Sequence, residues 1–265
     1  MKKQRILIIG TVFFAALFLF SGAMLMWRYV DRKRSANDFN AAASLIRPVE
    51  ISRSEDSSET EDSMEKPDSE QIAMEKYEEV YEQNNDFVGW IMIEGTNINY
   101  PVMQNVDNPN FYLNHGMKKQ YSNYGVPYVQ ENCMPGISDN VIIYGHHMKN
   151  GSMFTDLCKY EEEDFYQEHP VIRFDTLSSM DEYEIIAAFK TTVHSEDGFQ
   201  YYLFVDAEDE DAFDTYVSQC KALALYDTGV DAEYGDKLLT LSTCEYSRKN
   251  SRMVIVARRI IPFCL

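Results

Sequence analysis

The residues best suited to catalytic chemistry are a cysteine and an arginine near the C-terminal end of the chain. Cys244 ends a run of β-branched and apolar residues that begins at Leu238, and Arg252 precedes a second such run, Met253–Ala257. These compositions predict two strands joined by a short polar loop. If the strands are neighbours, the thiol and the guanidinium lie on one rim of a sheet. A fixed positive charge beside a thiol favours the thiolate, which is the nucleophilic form.

A nucleophilic thiol also needs a partner that moves protons, and arginine cannot serve because it stays protonated at working pH. Two adjacent histidines, His146 and His147, follow Gly145 at the end of a predicted strand, Asn140–Tyr144. A histidine at a strand end is well placed to meet a thiol and to relay its protons. The local spacing does not choose between the two histidines.

The remaining histidines and cysteines show no metal-site pattern. His115, His169 and His194 are scattered, and we predict that they are structural or surface residues. The five cysteines include no CxxC pair, which argues against a zinc cage or a dense disulfide framework. Cys220 falls on the apolar face of a predicted helix and is expected in the core. We therefore predict no metal site.

The elements that must position these residues are mostly short strands. Helical spacing of Ala73, Tyr77 and Val80 predicts an N-terminal helix that starts near Ser69, and a long helix is predicted around Phe213. The predicted strands are Phe87–Ile93, Ile98–Met103, Val126–Val129, Asn140–Tyr144, Val171–Phe174, Tyr183–Phe189, Leu238–Thr243 and Met253–Ala257. Many short strands separated by turn signals predict a sandwich or a barrel.

The N-terminal quarter of the chain differs from the rest. Residues 6–27 form an almost unbroken apolar run, long enough to span a bilayer as a helix, and they predict an uncleaved signal anchor behind a cytoplasmic tail, residues 1–5. Residues 28–68 are predicted to be a polar acidic linker, because their second half is mostly Ser, Glu, Asp and Thr. The folded domain is then expected at residues 69–265.

The charge of the chain is strongly negative. Asp and Glu total 43 against 24 Lys and Arg, giving a net charge of −19, although residues 1–34 hold seven basic residues and one acidic residue. So acidic a domain is not expected to bind nucleic acid through its phosphates. Because both flanks of the run are basic, the positive-inside rule does not set its orientation.

Three segments together resemble sortases, the membrane-anchored cysteine transpeptidases of Gram-positive bacteria. Thr240-Leu-Ser-Thr-Cys244 resembles the T-L-x-T-C signature of that family. Arg252 with its following strand is similar to the sortase arginine segment, and Tyr144-Gly145-His146 is similar to the strand that delivers the sortase histidine. The order His, Cys, Arg is that of the family, and the resemblance covers about residues 71–259.

Within that family the chain resembles class B. The segments that carry this likeness start at Phe87 and at Tyr144, together with the N-terminal helix and the helix around Phe213. The resemblance implies a mainly β fold with helices (α+β). It implies a closed eight-stranded barrel with an N-terminal helix and a long helix between the sixth and seventh strands. Calcium binding, found in some class A members, is not carried over.

The resemblance also implies roles for individual residues. Cys244 is the expected nucleophile and Arg252 the stabiliser of developing charge, while His146 is the expected general acid and base because the family histidine directly follows glycine. The predicted substrate-groove residues are Ser242, Thr243, Asn99, Met103, Tyr201 and Tyr202.

The implied activity is cleavage of a C-terminal sorting signal after threonine, through a thioester acyl-enzyme, with transfer of the protein to a cell-wall amine. No cofactor is expected, because the thioester retains the energy of the broken amide. The expected partners are sorting-signal peptides of surface proteins, often of Asn-Pro-x-Thr type in class B, and a peptidoglycan amine. The catalytic domain must then lie outside the cell membrane. The alternatives are a hydrolytic cysteine peptidase of the envelope and a non-catalytic anchored binding module.

Overall fold

The computed structural model describes residues 2–48, 69–193 and 198–260, so that His194 and Cys264 lie outside the described residues. Its helices are α1 (Lys2–Ser44), α2 (Ser69–Gln83), α3 (Glu163–Glu168) and α4 (Glu210–Leu223). Its strands are β1 (Phe87–Met92), β2 (Asn99–Met103), β3 (Tyr128–Val129), β4 (Asn140–Tyr144), β5 (Val171–Thr176), β6 (Met180–Thr192), β7 (Leu238–Cys244) and β8 (Ser251–Arg259).

The eight strands close into one barrel in the order β1-β2-β3-β4-β7-β8-β6-β5. Neighbouring strands are antiparallel except for the β2–β3 and β4–β7 pairs, which are parallel. Closure leaves no unpaired sheet edge, and the inward-facing side chains of the strands form the core. The predicted closed eight-stranded barrel is confirmed, with α4 in the connection between β6 and β7.

Strand boundaries depart from the prediction where tertiary pairing overrides composition. β3 is only two residues long, because Val126 donates its N–H to the Tyr112 carbonyl outside the sheet and Pro127 has no N–H to give. β6 is longer than predicted, because it pairs with β5 along its first half and with β8 along most of its length.

The two helices on the barrel surface each bury the apolar face that the sequence indicates. α2 buries Ala73, Tyr77 and Val80, and the Tyr77 hydroxyl donates to Asp175 Oδ2 at 2.6 Å. In α4, Phe213 and Cys220 are fully buried, so Cys220 is a core residue as predicted. Asp209 caps α4 by accepting a hydrogen bond from the Ala212 N–H at 2.9 Å.

The region predicted as a linker, residues 28–68, is helical in its first part. α1 continues without interruption through residue 44, and Asp31, Ser35, Phe39 and Ala42 on one of its faces are buried. The local sequence does not mark the burial of Asp31 and Ser35, because both are polar and their partners lie far away in the sequence. Of the predicted linker, residues 49–68 lie outside the described residues.

The first part of α1 has the length and apolar composition of a membrane span. Its side chains from Ile8 to Val30 are largely exposed, with Phe18 at 78% exposure. Among the described residues, α1 is the one helix that meets the length and hydropathy criteria for crossing a membrane. The docked face of the same helix begins at Trp27, whose ring stacks on Tyr121 at 6.0 Å between centroids.

Candidate active site

The β7–β8 hairpin brings the predicted thiol and guanidinium together. Cys244, the last residue of β7, lies directly opposite Arg252 in the antiparallel register. Directly opposed residues have Cβ atoms about 5 Å apart and present their side chains to the same face. Both residues are half-buried, and the Arg252 Nη1 donates to the Ser251 carbonyl at 3.0 Å.

The turn between the two strands is closed by its own hydrogen bonds. Glu245 donates its N–H to the Ser251 carbonyl at 3.0 Å, and its carboxylate accepts from the Ser247 N–H at 2.8 Å. Burial opposes ionisation of Glu245, but hydrogen bonds from Ser247 and Ser251 and the charge of Lys190 together outweigh it, and the pKa of this carboxyl is lowered. The turn therefore carries an ionised carboxylate next to Cys244 in the chain.

The histidine segment reaches the same rim because β4 runs parallel to β7. The Gly145 N–H donates to the Ser242 carbonyl at 3.1 Å, and the Thr243 hydroxyl donates to the Gly145 carbonyl at 2.8 Å. A Cβ at Gly145 would lie 2.5 Å from the Phe154 ring, so only glycine fits where the chain leaves the strand. His146 therefore follows β4 beside the end of the cysteine strand.

His146 is held by a loop of residues 111–125, here called the support loop. Its Nε2 lies 2.7 Å from the Leu113 carbonyl oxygen. A backbone carbonyl can only accept, so Nε2 carries the hydrogen in this bond and Nδ1 is the nitrogen left to act as a base. This contact was not predicted from the sequence, in which Leu113 carries no chemical signal.

His147 has different partners, and they are structural. Its Nδ1 lies 3.0 Å from the Cys244 carbonyl oxygen and 3.4 Å from the Cys158 sulfur. Its ring packs on Tyr246 at 4.9 Å, and the Tyr246 hydroxyl donates to the His147 carbonyl at 3.2 Å. These contacts tie His147 to the backbone at the end of β7, whereas the ring of His146 is anchored to the support loop.

A cluster of tyrosines surrounds the barrel side of the cysteine strand. The Tyr201 hydroxyl lies 2.6 Å from the Ser242 hydroxyl, and the Tyr144 hydroxyl donates to Gln130 Oε1 at 2.5 Å. The Tyr128 ring packs on Tyr144 at 5.6 Å. Burial raises the pKa of Tyr128 and of Tyr201 to about 12, so both phenols are neutral donors at physiological pH. Tyr128 and Tyr144 were predicted only as strand residues; aromatic residues at two strand ends were the available signal.

The predicted groove residues are distributed over several environments. Ser242, Thr243 and Tyr201 are at most 2% exposed, and Met103 is fully buried in the barrel core. Tyr202 is half-buried, and its carbonyl accepts a hydrogen bond from Gln130 at 3.0 Å.

Asn99 lies elsewhere. It is exposed in a cleft of about 410 Å³ between α1 and the barrel, and its Oδ1 accepts a hydrogen bond from the Trp90 indole at 2.6 Å. The lining of this cleft does not include Cys244, His146 or Arg252. The structure thus brings Ser242, Thr243 and Tyr201 to the cysteine strand and leaves Asn99 and Met103 apart from it.

The other described cysteines and histidines have structural surroundings. Burial raises the pKa of the Cys133 thiol to about 11 and those of Cys158 and Cys220 to about 12, so these three stay protonated at neutral pH. His115 stacks on Phe111 and His169 packs on Phe165. Within the described ranges, no group of three or more His, Cys, Asp or Glu side chains is arranged to hold a metal ion.

Comparison with known proteins agrees with this arrangement. A family model described as the sortase domain matches residues 91–260. Sortase B of Staphylococcus aureus is 31% identical over 188 residues, which cover 70% of this chain and 75% of that protein. Sortase B of Listeria monocytogenes is 34% identical over 180 residues, covering 67% and 71%. The chain belongs to the sortase family, class B.

Solved sortase B structures share the fold. The structure described as a Staphylococcus aureus sortase B-substrate complex has 30% identity and a TM-score of 0.65, covering 71% of this chain and 86% of that one. Sortase B from B. anthracis, in complex with AAEK1, has 25% identity and a TM-score of 0.69, covering 88% and 99%. Membership of the family makes this sortase a cysteine transpeptidase of the cell wall, acting on surface-protein sorting signals and cell-wall precursors.

Proposed function

We propose that this class B sortase is a membrane-anchored enzyme that cleaves a sorting signal after threonine and transfers the protein to a cell-wall amine through a thioester. The observation that carries the proposal is the position of Cys244 directly opposite Arg252, with the His146 segment leaving the strand on the other side of β7. Nucleophile, proton carrier and fixed cation thus come from three adjacent strands of one barrel.

In the first step the Cys244 sulfur attacks the threonine carbonyl, forming a C–S bond. The carbonyl oxygen gains negative charge, which the Arg252 guanidinium stabilises as a fixed cationic donor. The C–N bond then breaks, and His146 delivers a proton to the leaving amine. With Nε2–H held by Leu113, the proton is delivered from Nδ1 of the protonated ring. The product is a thioester between Cys244 and the sorted protein.

In the second step an amine of a cell-wall precursor attacks the thioester. His146, now unprotonated at Nδ1, takes a proton from the attacking amine, and the C–S bond breaks to return Cys244 as a thiolate. One amide is broken and one is formed, so the reaction needs no external energy source. Among the groove residues predicted from the sequence, Ser242 and Tyr201 support the strand beneath the thiol, and Tyr202 has surface available to a peptide.

The apolar first part of α1 is the proposed membrane anchor. Its exposed side chains suit a lipid environment, and the peptidoglycan substrate lies outside the membrane. We therefore assign the N-terminus to the cytoplasm and the barrel to the outer surface.

The experiment is acyl-enzyme trapping with the full chain in detergent and a library of Asn-Pro-x-Thr peptides. Wild type is expected to accumulate a covalent adduct on Cys244 and to form an amide product when an amine acceptor is added. Cys244→Ala should give neither, whereas Cys220→Ala, far from the rim in α4, should retain turnover per folded molecule. Hydrolysis alone with every acceptor would identify a peptidase, and an absence of any adduct would overturn the proposal.

A further inference from the structure

The second half of α1, residues 27–44, packs on the support loop and makes polar contacts with it. The Asp31 carboxylate accepts from the Asn123 N–H at 3.0 Å and from its side-chain amide at 3.3 Å. The Ser35 hydroxyl lies 3.0 Å from the Ser122 hydroxyl. Asp31 and Ser35 are each 4% exposed and Ser122 is fully buried, so water cannot replace these bonds.

Further contacts extend this docking along the helix. Asp38 accepts from Lys118 at 2.9 Å and from Gln120 at 3.0 Å, and Trp27 stacks on Tyr121. These residues recur at helical spacing, so one face of α1 follows the support loop for about three turns. A buried carboxylate placed on a loop in this way specifies one position of the loop relative to the helix, because any shift leaves desolvated donors unpaired.

Within the support loop, the segment that contacts α1 is hydrogen-bonded to the segment that contacts His146. Ser122 donates its N–H to the Asn114 carbonyl at 3.0 Å, and Gly125 donates to the Ser122 carbonyl at 3.4 Å. Gly125 has a φ of +59°, and a Cβ there would lie 2.4 Å from the Tyr112 carbonyl and 2.7 Å from the Leu113 carbonyl. The chain around Ser122 is thus packed tightly against the segment that carries Leu113.

The backbone carbonyl of Leu113 determines which ring nitrogen of His146 carries the hydrogen in the neutral form. Its oxygen lies 2.7 Å from His146 Nε2. Loss of this acceptor removes the reason for the hydrogen to stay on Nε2, and the neutral ring then divides between its two tautomers. Only the tautomer with a free Nδ1 matches the proposed proton transfer.

We propose that α1 is a positioning element of the active site: Asp31 and Ser35 hold the support loop so that Leu113 fixes the orientation and tautomer of His146. The helix that reaches the membrane and the histidine that moves protons are thereby linked through a single loop. This inference rests on the proposed catalytic role of His146. It assigns a function to a helix that is otherwise only an anchor.

The test uses the full chain in detergent micelles and two independent readouts. The first is the ¹⁵N chemical shifts of the His146 ring at a pH where it is neutral, assigned by comparison with His146→Ala. The second is kcat and KM for an Asn-Pro-x-Thr peptide that the wild type turns over. For Asp31→Ala we expect a mixture of tautomers and a kcat about tenfold lower, with KM changed less than twofold, because displacement of a catalytic group acts on the chemical step.

Matched variants separate positioning from general loss of stability. Asn37→Ala lies on the exposed face of α1 and should leave both readouts unchanged. Asp31→Asn keeps one acceptor oxygen for the Asn123 N–H and should retain most of the wild-type kcat. Ser35→Ala and Ser122→Ala should each lower kcat, and the double variant should cost no more than either single change if both act through their shared hydrogen bond.

The outcomes distinguish this inference from the proposed function. A single Nε2–H tautomer and an unchanged kcat in folded Asp31→Ala would overturn the inference. A tautomer mixture in a chain whose wild type shows no transpeptidation would support the link between α1 and His146 while refuting the proposed function. Should Asp31→Ala fail to fold, the Ser35 and Ser122 variants carry the same test, because each removes only one hydroxyl.

Discussion

The β7–β8 hairpin and the support loop hold the two halves of the active site in different ways. The hairpin fixes Cys244 and Arg252 through a continuous backbone ladder between adjacent strands of the barrel. The support loop fixes His146 through one carbonyl, and is itself held by side chains from α1 and by Asn84 at the end of α2. The proposed nucleophile is thus positioned by local secondary structure, whereas the proposed proton carrier depends on contacts with distant parts of the chain.

This difference implies that the two halves respond differently to perturbation. A ladder of backbone hydrogen bonds survives most side-chain substitutions, because the donors and acceptors belong to the main chain. A loop held by buried side-chain hydrogen bonds loses its position when a single partner is removed. Substitutions near the hairpin should therefore act mainly through the side chain replaced, and those near the support loop through His146.

After removal of the thiol, the largest expected loss of kcat comes from His146→Ala, and comparison with His147→Ala distinguishes the roles of the two histidines. His146→Ala should lower kcat by about 10²- to 10⁴-fold, the usual contribution of a general acid and base. His147→Ala should lower it less than about tenfold, because His147 packs against the Cys244 carbonyl, Cys158 and Tyr246 and is assigned no proton transfer in the proposed mechanism. Steady-state kinetics with one peptide compare the two. Equal losses would contradict the assignment of distinct roles.

The hairpin is tested next by Arg252→Lys. An ammonium supplies charge but not the planar pair of donors, and kcat should fall by about 10²- to 10³-fold with an unchanged melting temperature. Arg258→Lys, further along β8 and paired with Glu184 at 3.4 Å, is the control and should keep wild-type kinetics. Wild-type kcat in Arg252→Lys would show that charge alone is sufficient.

A smaller effect is expected at the hydrogen bond beneath the thiol. Tyr201→Phe removes the partner of the buried Ser242 hydroxyl and should reduce the free energy of unfolding by about 1–3 kcal/mol. Because the backbone ladder still positions Cys244, kcat should change by less than about fivefold. Urea denaturation and peptide kinetics measure the two quantities. A loss of kcat as large as that of Arg252→Lys would mean that the ladder alone does not position the thiol.

The smallest expected effect is a pH-dependent change in stability at Asp86, which contacts the support loop through Tyr112 and Lys119. Burial opposes ionisation of Asp86, but hydrogen bonds from Tyr112, Lys119 and Asn105 outweigh it, and the pKa of this carboxyl is lowered. Its contribution to stability is therefore complete above the ordinary aspartate pKa of about 4 and disappears as the pH falls through the lower folded value.

Melting temperatures at pH 3 and pH 6 measure this contribution. Asp86→Asn should be less stable than wild type at pH 6 and closer to it at pH 3. Asp107→Asn, an exposed neighbour, should follow wild type at both values. A constant difference between Asp86→Asn and wild type across this range would contradict the titration of Asp86.

The hairpin and the support loop also differ in how far the sequence predicts them. The composition of short segments predicted all eight strands, and the positions of Cys244 and Arg252 at strand ends predicted a shared rim if the strands were neighbours, whereas the choice of His146 over His147 depended on the family resemblance. Such features are local in the sequence. In a closed barrel the ends of paired strands lie side by side, so residues at those ends become neighbours. The contacts of the support loop are not local: Asp31 and Asn123 are 92 positions apart, and neither has a chemical signature in the sequence.

Two features of the structure lie beyond that limit. The burial of Asp31 and Ser35, within the predicted linker of residues 28–68, depends on partners that lie far away in the sequence. The groove roles of Asn99 and Met103 stay predictions, with Asn99 at the cleft beside α1 and Met103 in the core. The burial of β2 does not alternate, because the four residues after Asn99 are all buried, so an alternating pattern could not predict which of them face the barrel interior.

The parallel pairing of β4 with β7 has a consequence for biosynthesis. The two strands that deliver His146 and Cys244 cannot be joined by a tight turn, and β5, β6 and α4 all lie between them in the chain. Pairing across so long a separation is entropically costly and comes late in folding. In the proposed mechanism, a chain whose barrel has not yet closed therefore carries the Cys244 thiol without its proton carrier.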